Sequence, residues 1–299
     1  MTILVTGSNG FVGSAVVTSL VKKRMSVRGT VRALAKASHD ISIGNITPDS
    51  DWSAALEGVD VVVHTAARVH VMNDSAVDPL TEFLSVNAAG TLNLAHQAVN
   101  LGVRRFVFIS SIKVNGEGTP LGRSYTADDI PTPTDAYAIS KLEAELGLMQ
   151  LAEETGLEVV IIRPVLIYGS GVKANFHSMM RWLKKGIPLP FGAIHNKRSL
   201  VALDNLVDLI VTCIDHPAAA NQTFLVSDDV DLSTTELLQR MAAAMGKPSR
   251  LLPVPAGLLN AGAVLLGKRD IAKRLLGSLQ VDISKNERYI RLDTSSQRR

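Results

Sequence analysis

Cysteine occurs once in the 299 residues, at Cys213, so no disulfide can close within the chain, and a reducing, cytoplasmic compartment is the default. The thiol sits in an apolar run, LVDLIVTCI, that suits a small buried residue better than a nucleophile. Charge of one sign is also missing: 31 Lys and Arg stand against 28 Asp and Glu, which excludes a nucleic-acid footprint and leaves a small surplus suited to an anionic small molecule. No apolar run approaches the roughly 18 residues of a membrane span. The most apolar late stretch, Ala256 to Leu266, is interrupted by Asn260 and reads as a packed helix. The opening MTILVTG is already a strand, leaving no room for a leader ahead of it. The seven histidines show no paired ligand spacing, so no metal site is expected. Repeats and low-complexity tracts are absent.

What is present is alternation. Short β-branched runs at 3–6, 27–32, 59–66, 105–111 and 157–164 are separated by helical stretches at 13–23, 78–101 and 136–156, the last begun by Thr134 and Asp135 and ended by Gly156. This is the pattern of an α/β fold, a doubly wound parallel sheet covered by helices on both faces. Residues 1–169 are expected to form a dinucleotide-binding domain, with segments returning at about 200–230. Residues 170–199 and 231–299 are expected to form a smaller, partly interleaved substrate region, in which a strand at 222–228 and a helix from Thr234 to Met245 precede a break at Pro248, Pro253 and Pro255.

Thr6-Gly7-Ser8-Asn9-Gly10-Phe11-Val12-Gly13 follows the first strand and opens the first helix. There a dinucleotide's pyrophosphate meets glycines that let the backbone approach, and a helix N-terminus that supplies N–H groups and positive dipole. The acid that ends the second strand in NAD-binding sheets is lacking: Val31 is followed by Arg32, with Arg28 earlier in the strand. Arg32 at that point favours the 2′-phosphate of NADP(H), with NAD(H) as the alternative. Tyr137 and Lys141 lie at i and i+4 on one helix face, where an ammonium lowers the pKa of a phenol and fits it for proton exchange with a hydroxyl or carbonyl. Ser110 and Ser111 end the preceding strand, at the carboxyl edge where such sheets bind ligands.

Together TGSNGFVG, HTAA (64–67), Asn87, ISSIKVNG (109–116), YAISK and RPVLIYG (163–169) resemble the extended short-chain dehydrogenases/reductases, and within them the nucleotide-sugar epimerase/dehydratase group, from residue 1 to about 284. The resemblance implies that Ser111 orients the reacting oxygen, Tyr137 is the acid/base and Lys141 holds the nicotinamide ribose. It places Asn45 and Ile46 beside the adenine, Ala66 and Ala67 along the pyrophosphate-to-ribose stretch, Asn87 and Pro164 at the cofactor, and Lys113, Arg163, Asn175 and Arg198 at the substrate, the last two on a UDP-sugar's diphosphate. It also implies a homodimer through the helices at 78–101 and 136–156. Dehydratases of the group carry an Asp-Glu pair after the hydroxyl; here Ile112 and Lys113 stand there, which speaks against dehydration. With Arg32 in place of an acid, the expectation is an NADPH-dependent reductase of a UDP-linked 4-keto sugar, such as UDP-2-acetamido-2,6-dideoxy-4-hexulose, in bacterial surface-polysaccharide synthesis. The alternatives are a UDP-glucose or UDP-N-acetylglucosamine 4-epimerase with bound NAD, and a non-catalytic NADP-sensing protein. After GSLQVDISKN the chain departs from the group's usual ending, running ERYIRLDTSSQRR.

Overall fold

A parallel strand buried on both faces must send alternate side chains into two separate cores, and the sequence supplies both. In a computed structural model, which describes residues 1–33, 35, 37–69, 78–172 and 175–290 apart from the side chains of Asn175, His177 and Asp270, the strands are β1 (Thr2–Thr6), β2 (Ser26–Val31), β3 (Asp40–Ser42), β4 (Val61–His64), β5 (Arg105–Ile109), β6 (Ser124–Tyr125), β7 (Glu158–Pro164), β8 (Leu166–Tyr168), β9 (Leu200–Ala202), β10 (Gln222–Val226) and β11 (Gln280–Val281). Seven of them form one sheet in the order β10-β7-β5-β4-β1-β2-β3, every pairing parallel. Strand order reverses between β1 and β4, where Thr6 lies opposite His64.

The helices are α1 (Phe11–Lys22), α2 (Ser53–Leu56), α3 (Pro79–Phe83), α4 (Gly90–Asn100), α5 (Ala136–Thr155), α6 (Asn175–Lys185), α7 (Leu203–Cys213), α8 (Thr234–Ala244), α9 (Ala256–Leu265), α10 (Arg269–Leu276) and α11 (Ser284–Ile290). On one face Ile3, Val5, Val63, Val107 and Ile162 pack with Val16 and Leu20 of α1 and Leu206 and Ile210 of α7. On the other, Leu4, Val62, Phe106, Phe108 and Ile161 pack with Leu94 and Ala98 of α4 and Leu148 of α5. Period-two alternation in the strands thus meets period-3.6 stripes in the helices. Cys213 is buried in the first core, and burial pushes its thiol up to about 12, which leaves it unreactive.

Local signals set the ends. The Asp135 carboxylate accepts from Ala138 N at 2.7 Å to start α5, and Gly156 closes that helix at φ 78°. The single helix expected over 78–101 is interrupted by a π-helical segment, Leu84–Ala89, a wide turn of the kind that recurs at functional sites. Outside the large sheet, α6 and α8 share a small core of Met179, Leu183, Leu189 and Leu238. The packed helix expected at Ala256 to Leu266 is corrected by the structure: α9 forms and packs on α10, but none of its residues is buried. Of the divergent C-terminal residues, those to Ile290 form α11; 291–299 lie outside the described residues.

The strand crossing is fastened by His64. Thr91 Oγ1 donates to the Asn87 carbonyl at 2.7 Å, so it receives the His64 Nε2 proton at 3.0 Å; the bare Nδ1 then accepts from Thr6 Oγ1 at 2.7 Å. Burial, aided by the nearby Lys141 charge, pushes this imidazole down to about 3. A depressed histidine contributes stability that is complete above the unfolded value of 6.5 and is lost as pH falls through the range from 6.5 to about 3, up to about 5 kcal/mol in all. Urea midpoints measured between pH 7 and 4 are therefore expected to fall more steeply for the wild type than for His64→Gln. Parallel slopes would remove His64 as the source.

Candidate active site

The sheet brings three segments to its carboxyl edge: the loop after β1, the strand end after β4, and the segment from β5 into α5. In the first, Gly7 takes φ 66°, and a side chain there would press on Ala66. A Cβ on Gly13 would overlap the Gly7 carbonyl oxygen and crowd Thr65 Oγ1 at 2.7 Å, so α1 can start this close to β4 only on glycine. Gly10 caps α1 with no side-chain hydrogen bond and no acid in the first turn. The helix's first N–H groups and its positive dipole end are thus left to a ligand, and the cradle fits a dinucleotide's pyrophosphate. Phe11 and Val12 pack partly into the core below, anchoring the loop. Thr6 fixes the second wall: its carbonyl accepts from Thr65 Oγ1 at 2.6 Å and its hydroxyl from Ala66 N at 3.2 Å. Ala66 and Ala67 are half-buried beside it.

Asn87 is the link to the catalytic helix. Its amide takes Arg68 N at 2.8 Å, donates to Arg68 O at 3.0 Å and donates to Ser140 Oγ at 3.0 Å, while Ser140 donates to the Tyr137 carbonyl at 2.8 Å. Placed in the contact set of the cofactor by sequence, Asn87 has its side chain fully engaged by protein in this structure; it holds the wall and α5 together. Ile46 fills the space beside Gly90, Asn45 is exposed on the same loop, and Pro164 ends β7 buried against Val226.

Ser111 caps the short turn Ile112–Val114 and hydrogen-bonds Tyr137. The Tyr137 phenol is pushed up to about 12 by burial and by the Asp135 carboxylate, with the Ser111 bond opposing both. Lys141 is 2% exposed with its ammonium 4.2 Å from the centre of the Phe108 ring, and burial pushes it down to about 7 against the pull of Glu145. A phenol and an ammonium one helical turn apart, with a serine on the phenol, can pass a proton to and from a bound hydroxyl.

Several expected substrate ligands are placed otherwise. Arg163, 5% exposed, faces Glu145 at 2.5 Å and Asn115 Oδ1 at 3.0 Å, and so ties β7, α5 and the Ser111 turn together in place of reaching a substrate. Lys113 is ion-paired with Asp135, the α5 cap. Arg28 donates to the carbonyls of Ala55 and Glu57 at 2.9 and 2.7 Å, which removes it from the cofactor. Arg198 donates to the last carbonyls of α10, Arg274 and Gly277, and burial lowers its pKa. Asn175 begins α6, but its side chain lies outside the described residues. Arg32 is exposed just beyond β2.

Glu145, Asn115, Ser140 and Asp40 went unnoticed in the sequence. Glu145 had a signal, an acid at i+4 from Lys141 on the same buried face. Asp40 had none: β3 brings it against Gly29, where its carboxylate accepts from Ser8 Oγ at 2.7 Å. Among the described residues no His, Cys, Asp and Glu cluster is fit for a metal.

A glycine loop at the strand crossing, with Ser111 in the turn after β5 and Tyr137 and Lys141 on α5, defines a dinucleotide-dependent enzyme of the short-chain dehydrogenase/reductase type. The chain belongs to the NAD dependent epimerase/dehydratase family, whose model matches residues 3–227. It is 54% identical over 286 residues, 94% of this chain and 87% of the other, to a UDP-glucose 4-epimerase of Vibrio cholerae. It is 27% identical, over 86% of this chain and 77% of the other, to the N-acetyl-alpha-D-glucosaminyl-diphospho-ditrans,octacis-undecaprenol 4-epimerase of Escherichia coli O157:H7. The fold matches a solved UDP-glucose 4-epimerase of Thermotoga maritima with UDP-glucose at TM-score 0.74 and 22% identity, covering 96% and 92% of the two chains. It also matches a UDP-glucuronic acid 4-epimerase of Bacillus cereus with NAD at 0.77 and 20%, covering 99% and 95%. The Vibrio relative overturns the sequence reading that put 4-keto-sugar reduction ahead of epimerisation, a preference that rested on Arg32 and on the resemblance to surface-polysaccharide enzymes.

Replacing Gly13 by Ala is expected to weaken NADH binding, followed by fluorescence, about tenfold or more, a cost of about 1.4 kcal/mol. Gly257→Ala, where a Cβ meets nothing within 4 Å, serves as the control that leaves binding unchanged.

Proposed function

We propose that this chain is a UDP-hexose 4-epimerase that interconverts UDP-glucose and UDP-galactose on a retained NAD. The observation that carries the reading is the 54% identity to the Vibrio cholerae UDP-glucose 4-epimerase across 94% of the chain, supported by the intact Ser111, Tyr137 and Lys141 arrangement. A nicotinamide held by the Gly7–Gly13 loop and Lys141 would supply reversible hydride exchange at the sugar's C4. The chain's own groups do the rest. Ser111 holds the C4 oxygen beside Tyr137, and Tyr137 takes the proton from that oxygen and gives it back. Lys141 supplies the positive charge that lets a buried phenol act as a base, and the Glu145 carboxylate favours the charged lysine. A cavity of about 410 Å³ beside this turn, lined among others by Gly116, Thr132, Thr134, Lys273 and Ser278, is where we place the sugar.

NAD in preference to NADP is favoured by Asp40. Its carboxylate, held against Ser8 of the glycine loop, opposes a 2′-phosphate at the end of β2, and the epimerase cycle has no need of an exchangeable reductant. Arg32 is the opposing charge. Asp40→Asn is expected to raise NADPH affinity relative to NADH by about tenfold, read by fluorescence titration; an unchanged ratio removes Asp40 as the determinant.

Purified protein given UDP-glucose and no added cofactor is expected to form UDP-galactose, seen by proton NMR, and Tyr137→Phe is expected to lower kcat by about 10²–10⁴ with dinucleotide retained. Turnover that requires added NADPH and a 4-keto sugar would sink the epimerase reading.

A further inference from the structure

We infer that the α9–α10 face docks on an anionic bilayer surface. Helix α9, AGLLNAGAVL, is apolar all round except for Asn260, a composition that normally buries a helix completely. Here none of its residues is buried: Leu258 is 66% exposed, and Leu265 and Leu266 at its end are 88% and 73% exposed. Leu258 and Leu265 are seven residues apart and share one helix face. Ile271 on the neighbouring helix α10 is a further exposed aliphatic residue, 52% exposed. Large aliphatic side chains exposed together on one helix face mark a place where something sits.

The charge around the patch says what. Lys268 and Arg269 follow the apolar helix directly and Arg274 lies a turn further on, all exposed, while Lys273 is ion-paired to Glu117. Leucines bordered by exposed lysine and arginine match an interfacial helix whose apolar side enters the headgroup boundary while its cations meet anionic lipid. A second copy fits less well, because a two-fold contact would set these cations against themselves. Lys273 and Gly277 of this face also line the cavity beside Gly116 and Thr134, so docking would hold the mouth of the site at the bilayer.

Vesicle co-sedimentation of the full chain tests the assignment, with phosphatidylcholine alone and phosphatidylcholine mixed equally with phosphatidylglycerol. The expected result is association with the mixed vesicles that weakens as salt is raised. Lys268→Glu with Arg269→Glu should lower it by about tenfold or more, and Leu265→Glu with Leu266→Glu should abolish it. Turnover of dissolved UDP-glucose by all variants, or an unchanged circular dichroism melt if that sugar is not the substrate, shows them folded. Absence of association, equal association with neutral vesicles, or a dimer in sedimentation velocity that Leu265→Glu with Leu266→Glu dissociates would each overturn the inference.

Discussion

Everything at the carboxyl edge of this sheet depends on how β1 and β4 are held at the point where strand order reverses. The Thr6 hydroxyl gives its proton to His64 Nδ1 and takes one from Ala66 N, and the Thr6 carbonyl takes another from Thr65. A neutral, buried imidazole with both nitrogens satisfied makes this possible; a charged one would need a counter-ion that the core does not offer. From His64 the chain of bonds runs through Thr91 and Asn87 to Ser140 and the backbone of Tyr137. The cradle for the cofactor and the helix carrying the proton donor are therefore parts of one hydrogen-bonded assembly.

A second bracket supports the same helix from below. Arg163, Glu145 and Asn115 are buried together and join β7, α5 and the turn after Ser111. A buried ion pair adds little net stability over a hydrophobic substitute, but removing one partner leaves a bare charge in the core. Its effect here is positional and electrostatic. Tyr137, Lys141 and Glu145 stand on successive turns, and the carboxylate favours the charged lysine against the effect of burial.

The fold was legible because period-two strands and period-3.6 helices leave different marks in a sequence. Tyr137 and Lys141 were readable as a pair because their i, i+4 spacing is local; Ser111, 26 residues earlier, entered through the family resemblance. The brackets were not legible. Arg163 was expected at the substrate, but β7 places it over Glu145, and Lys113 likewise, but α5 offers it the Asp135 cap. Asp40 was invisible for the opposite reason: it stands on a short strand that only its pairing with β2 defines, eleven residues from its partner Gly29 in the sequence. The inclination towards NADPH and reduction came from judging Arg32 by its position along the chain, before β3 placed Asp40 opposite Gly29 and against Ser8 of the glycine loop.

By itself the sequence determined the doubly wound sheet, the glycine loop that opens α1, and the serine, tyrosine and lysine at its edge, since each rests on neighbours within a turn or a strand. Tertiary structure alone decided which charges face a ligand and which face one another, and it left α9 uncovered where its composition predicted burial. Burial and pairing are set by elements far apart in the chain, and no local pattern encodes what will pack against a given side.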